Sequence, residues 1–164
     1  MNLYQSELSR KVISYGCTPK YNEDTKMLEV SSDNRNFVEM SEEGFLFYNQ
    51  KELSVNLQNT LDKILDDARI IREYVGLYEK SKPMPFDSIK QYRKIGEYND
   101  VVFGATVNDN FGFMFSSWRV DDDGNGVRLG NYSSDYISSK ETFSVRSKLV
   151  DKQKLFTKEE SELL

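Results

Sequence analysis

The chain has 164 residues, with 22 Lys+Arg against 27 Asp+Glu and no histidine. That length suits one domain with a sizeable core, and ten Tyr with ten Phe make the chain too aromatic for a disordered protein. The net charge of −5 has the wrong sign for a surface that grips phosphate backbones throughout, and the missing histidine removes Ser-His-Asp and Cys-His nucleophiles and nearly every zinc or iron site.

Leu3, Leu8, Val12 and Tyr15 recur at helical spacing and Gly16 supplies a stop, which predicts a first helix from Asn2 to Tyr15. Lys26 to Ser31, Asn36 to Ser41 and Phe45 to Tyr48 read as short strands of a small antiparallel sheet, turned at Glu42-Glu43-Gly44. From Ser54 to Lys80, the residues Leu57, Leu61, Ile64, Leu65, Ala68, Ile71, Val75 and Tyr78 step by three and four, and no proline interrupts them. A long central helix follows, and Ile70, Tyr74 and Leu77 form a second apolar stripe that predicts cover on two sides of its C-terminal half.

Lys82-Pro83-Met84-Pro85 cannot continue that helix and reads as a linker. Beyond it, Gln91 to Tyr98, Val101 to Val107 and Phe111 to Val120 predict a three-stranded meander, and Asp121 to Gly126 turns into a fourth strand, Val127 to Tyr132. Phe113, Phe115 and Trp118 are expected in the core of this sheet, with Met114 and Ser116 on its other face. Ser133 or Ser134 caps a helix from Asp135 to Leu149 that turns Tyr136, Ile137, Phe143 and Val150 inward. Thr157-Lys158-Glu159-Glu160 matches a capping box for a short terminal helix. The fold class is α+β: an N-terminal helix and small hairpin sheet, a long central helix, and a C-terminal, mostly antiparallel sheet packed by a helix. Residues 1–164 read as one compact unit that admits a division into lobes 1–80 and 87–164.

Cys17 has no second cysteine to pair with and no basic neighbour nearer than Lys20, so its expected role is structural. The chain has neither a secretory hydrophobic region nor an apolar run of about 18 residues, which makes the cytoplasm the expected address. No phosphate-binding loop of the G-x-x-x-x-G-K-[ST] type occurs, and Gly124, Gly126 and Gly130 have the wrong spacing for a dinucleotide fingerprint. Asp121, Asp123, Asn125 and Gly126 fit the start of a calcium-binding EF-hand loop, but Tyr132 stands where a bidentate glutamate is needed and Arg128 adds a cation, so a solvated hairpin turn is expected. Asp66-Asp67 and Glu159-Glu160 read as solvated helix faces, and nothing singles out a catalytic carboxylate pair. No enzymatic activity, metal or cofactor is expected.

The runs Tyr98 to Ala105, Gly112 to Trp118 and Gly126 to Tyr132, with the helix Asp135 to Val150, give the chain a likeness. It resembles uncharacterised proteins carried on conjugative elements and prophages of gut Firmicutes, from the first helix through Leu155-Phe156-Thr157 and most specifically from Trp118 to Phe156. This chain carries Asp121-Asp122-Asp123 where similar proteins commonly have a more mixed turn. The resemblance implies a mobile-element setting and supplies no catalytic residue. Small proteins of that setting without catalytic equipment are often inhibitors of host defence, of anti-CRISPR or antirestriction type. The expectation is therefore a stoichiometric inhibitor whose partner is a nucleic-acid-processing protein, with no small-molecule substrate. Its expected contacts are Asp121, Asp122 and Asp123 with the exposed aromatics Tyr132 and Tyr136, acids for a basic cleft and rings for interface energy. The alternative is a nucleic-acid-binding accessory or regulatory factor using Arg146, Lys148, Lys152 and Lys154, which would show a steep salt dependence.

Overall fold

The computed structural model describes residues 1–149, which fall into two compact units divided between Leu77 and Tyr78. In the first unit, Asn2 caps the helix α1 (Leu3–Ser14) through a reciprocal box: Gln5 N donates to Asn2 Oδ1 at 3.1 Å, and Asn2 N donates to Gln5 Oε1 at 3.3 Å. The strands β1 (Thr18–Asn22), β2 (Met27–Ser32), β3 (Arg35–Met40) and β4 (Leu46–Tyr48) follow as one antiparallel sheet in chain order. The short polar run at β1 gives no strand signal in the sequence, since it holds Pro19. It becomes a strand because it lies at the sheet's edge, where a proline's missing N–H breaks no ladder on the outer side. Asp33 and Asn34 turn β2 into β3 with both φ positive, at 51° and 64°, the two-residue geometry that matches strand twist.

The helix α2 (Val55–Lys80) contributes its residues up to Leu77 to the first unit. Its predicted stripe is buried at Leu61, Ile64, Ala68, Ile71 and Val75. The second stripe is covered at Tyr74 and half-buried at Ile70, whereas Leu77 is exposed. Hydrogen bonds join α1 and its C-cap residue to α2: Tyr74 Oη donates to Glu7 at 2.7 Å, and Tyr15 Oη donates to Asp67. Burial pushes the Asp67 carboxyl above its usual range, against the lowering effect of the Tyr15 hydroxyl. Asp67 is thus a half-buried partner of Tyr15, whereas exposed Asp66 pairs with Arg69 at 2.8 Å.

In the second unit the strands β5 (Lys82–Pro83), β6 (Arg93–Tyr98), β7 (Val101–Asn108), β8 (Gly112–Val120) and β9 (Val127–Ser133) form an antiparallel sheet in chain order. The helix α3 (Tyr136–Arg146) follows, capped by Asp135, whose carboxylate accepts from Ser138 N at 3.1 Å. The predicted linker is part of this sheet. Pro83 lies on the edge strand β5, and Met84 is buried and donates its N–H to Tyr92 O at 2.9 Å.

Both faces of this sheet are covered. On one, Phe103 and Phe115 meet α3, Phe103 stacking on Phe143 at 5.2 Å and Phe115 meeting Tyr136 edge-on, also at 5.2 Å, while the buried Phe113 stacks on Phe115 at 5.9 Å. On the other, Trp118 packs with Met84, Ile89, Tyr92 and Val102. Trp118 is therefore a core residue, as expected, but not on the face of Phe113 and Phe115. Alternation along a strand puts it on the face of Ser116. Its ring lies over Gly104, where an added Cβ would stand 2.9 Å from Trp118 Cζ3 and 2.9 Å from Met84 Cε. Of the side chains expected inward on α3, Tyr136 and Phe143 are buried, Ile137 is exposed, and Val150 lies outside the described residues. The cap at Asp135 sets that phase. No helix among the described residues is long and apolar enough to cross a membrane.

Candidate functional site

The hairpin of β8 and β9 carries most of the residues singled out in the sequence. Val120 pairs with Val127, and Asp121 N donates to Gly126 O at 2.8 Å, so the loop between them closes on itself. Within it, Asp123 Oδ1 accepts from Asn125 N at 3.0 Å, and Asp121 faces Arg128 at 3.6 Å. The three acids are therefore not equivalent. Asp121 is half-buried and paired, while Asp122 and Asp123 are exposed. Strands flank the loop on both sides, and among the described residues no group of three or more metal-ligating side chains is gathered.

Beyond the loop, β9 is the last strand of its sheet, and among the described residues nothing pairs with its outer edge. Its ladder shifts register opposite Trp118, between the pairs Ser117–Asn131 and Arg119–Arg128. Leu129 lies in that bulge with φ of 61°. A left-handed conformation costs a branched residue roughly 1–2 kcal/mol, because its Cβ crowds the following carbonyl. The side chain recovers little of this by packing, since it is 67% exposed. Tyr132, 58% exposed, lies on the same strand and holds the indole, whose Nε1 donates to Tyr132 Oη at 3.3 Å. Gly130 is required between them, because an added Cβ would stand 2.7 Å from Trp118 Nε1.

Leu129→Gly should raise the unfolding free energy of this unit by about 0.5–1 kcal/mol, the strain relieved less the entropy a glycine adds to the unfolded chain. Urea unfolding measures it. A loss of stability would show that the bulge is not strained.

Tyr136 does not join this surface. It is 4% exposed and packs between Phe103 and Phe115, because the first turn of α3 faces the sheet. The basic set is likewise dispersed. Arg146 donates from Nη1 to Ser117 O at 2.7 Å and to Ser117 Oγ at 3.0 Å, and its own carbonyl accepts from Arg119 Nη2. Burial, with Arg119 nearby, lowers its pKa from the ordinary value. This guanidinium ties α3 to the sheet instead of facing solvent. Lys148 is exposed and ends α3 in a left-handed turn, φ 60°, while Lys152 and Lys154 lie outside the described residues.

The sequence marked the acids and Tyr132 by composition. It gave no sign of Leu129, since leucine after Val127-Arg128 looks like ordinary strand. Burial raises the pKa of the Cys17 thiol, so Cys17 is far from a reactive thiolate. No protein-family model, curated protein or solved structure matches the chain.

Proposed function

We propose that the chain acts without catalysis, by stoichiometric binding of another protein through the β8–β9 hairpin. The observation that carries this reading is the open edge of β9, where a strained Leu129 and the ring of Tyr132 stand exposed directly beyond an acidic turn. An edge strand offers unpaired N–H and C=O groups to an incoming extended segment, and exposed side chains on it give specificity. Asp122 and Asp123 favour a basic partner. A nucleic-acid-processing protein presents such a basic groove, and the resemblance to mobile-element proteins points to a host defence nuclease. The engagement of Arg146 with Ser117 weakens the alternative of direct nucleic-acid binding.

Asp122→Lys with Asp123→Lys should reduce capture of the target from a host lysate about tenfold or more, in keeping with the loss of two charge contacts at an interface. The melting temperature should stay nearly unchanged, because these carboxylates make no tertiary contact. A chain that binds DNA or RNA by itself at physiological salt, or that turns over a substrate unaided, would end this reading.

A further inference from the structure

A cavity of about 430 Å³ opens beside the turn between β6 and β7, within the roughly 300–1,000 Å³ of ligand sites. Its apolar lining includes Val101 and Val102, both buried, with Val120, Phe86 and Tyr98. Its polar lining is Lys94, Glu97, Asn99 and Asp100. Lys94 Nζ meets Glu97 Oε2 at 3.0 Å, which cancels one charge of each sign. Asp100 has no cation partner among the described residues, so the cavity holds one uncompensated negative charge. Asn99 donates its amide nitrogen to Ser147 O at 2.9 Å, which leaves its amide oxygen as an acceptor.

A ligand that matches this lining has a long apolar stem and a cationic head with many donors. We propose that the cavity takes an arginine side chain of the protein partner, an inference that rests on the protein-binding reading above. A guanidinium carries five donors for the Asp100 carboxylate and the Asn99 oxygen, and it suits a lining that includes the aromatic residues Phe86 and Tyr98. An ammonium offers fewer donors and holds its water more tightly. An anion meets the wrong net charge. The location also fits. Val101 pairs with Arg119, which places the β6–β7 turn at the same end of the sheet as the acidic loop. Val120, which lines the cavity, donates its N–H to Asp100 O at 2.7 Å and directly precedes Asp121. The cavity thus adjoins, along the chain, the acidic turn that begins at Asp121.

The test is a titration of the whole chain with Nα-acetyl-arginine amide, followed by amide chemical shifts, with Nα-acetyl-citrulline amide as the uncharged isostere. The expected result is saturable shifts at Tyr98, Val102 and Val120 in the millimolar range with the arginine probe alone. Asp100→Asn should weaken binding about threefold to fivefold, the worth of one exposed charge pair. Asparagine tolerates the left-handed φ of 61° at that position, so the turn persists. No saturable shift, equal shifts with citrulline, or undiminished binding by Asp100→Asn would each overturn the proposal. The titration needs no partner. If it fails while the Asp122 and Asp123 variant still loses its target, this inference alone falls. If the arginine probe binds while that variant captures normally, the cavity stands and the hairpin reading falls.

Discussion

Trp118→Ala should lower the unfolding free energy of the second unit by about 3–5 kcal/mol, the cost of deleting a fully buried large aromatic side chain and leaving a cavity. The ring is 2% exposed. Tyr92 meets it edge-on at 4.8 Å, Gly104 is bare beneath it to admit it, and Tyr132 accepts its N–H. Gly104 has no side chain to fill the space, and the flexible Met84 beside it fills only part of a cavity the size of an indole. Urea unfolding followed by circular dichroism is the measurement, because the substitution removes the chain's one tryptophan. Trp118→Phe should cost clearly less, since it keeps a ring over Gly104 and loses only the indole's outer part and its hydrogen bond. An unchanged midpoint for Trp118→Ala would mean that the ring belongs to a binding surface and not to the core.

Gln5→Ala should destabilise the first unit by about 2–4 kcal/mol, from the loss of its buried hydrogen bonds to two carbonyls and a partly filled cavity. Gln5 is 0% exposed, an unusual place for an amide. Its Nε2 donates to Lys26 O at 2.9 Å and to Met40 O at 3.2 Å, so one side chain of α1 satisfies the backbone ahead of β2 and at the end of β3. Its oxygen also accepts from Asn2 N in the capping box. Gln5→Leu separates these contributions: it restores the volume but not the hydrogen bonds, so most of the loss should remain. Full recovery by leucine would show that packing, and not polar satisfaction, is what Gln5 provides.

Elements with a strong period were legible in the sequence. α2 and the strands β2, β3, β7 and β8 follow from apolar spacing, because their burial is one-sided or continuous over many residues. β1 and β5 were not, since each is short and contains a proline, and only a neighbouring strand makes either extended run part of a sheet. The side of the sheet occupied by Trp118 was legible in principle from its even spacing to Ser116, and it was missed because aromatics close in sequence look like one cluster. Tyr136 and Ile137 exchange roles with a one-residue shift of the helix cap, a distinction that Ser133, Ser134 and Asp135 leave open. The candidate site divides in the same way. Composition marks the acidic turn, but the φ of Leu129 depends on a bulge opposite Trp118, and the cavity gathers Phe86, Tyr98 and Val120 from three separate segments.

The two units carry one natural reporter each. Cys17 is buried at the end of α1, where its N–H donates to Val12 O at 3.0 Å, and Trp118 lies in the second unit. A thiol reagent reaches Cys17 when the first unit opens, and at reagent levels low enough that reclosing outpaces modification the labelling rate scales with the open population and so gives the opening free energy. Indole fluorescence follows the second unit on its own. A single unmodified sample thus gives two opening free energies, and a gap between them measures how independently the two halves of the chain breathe.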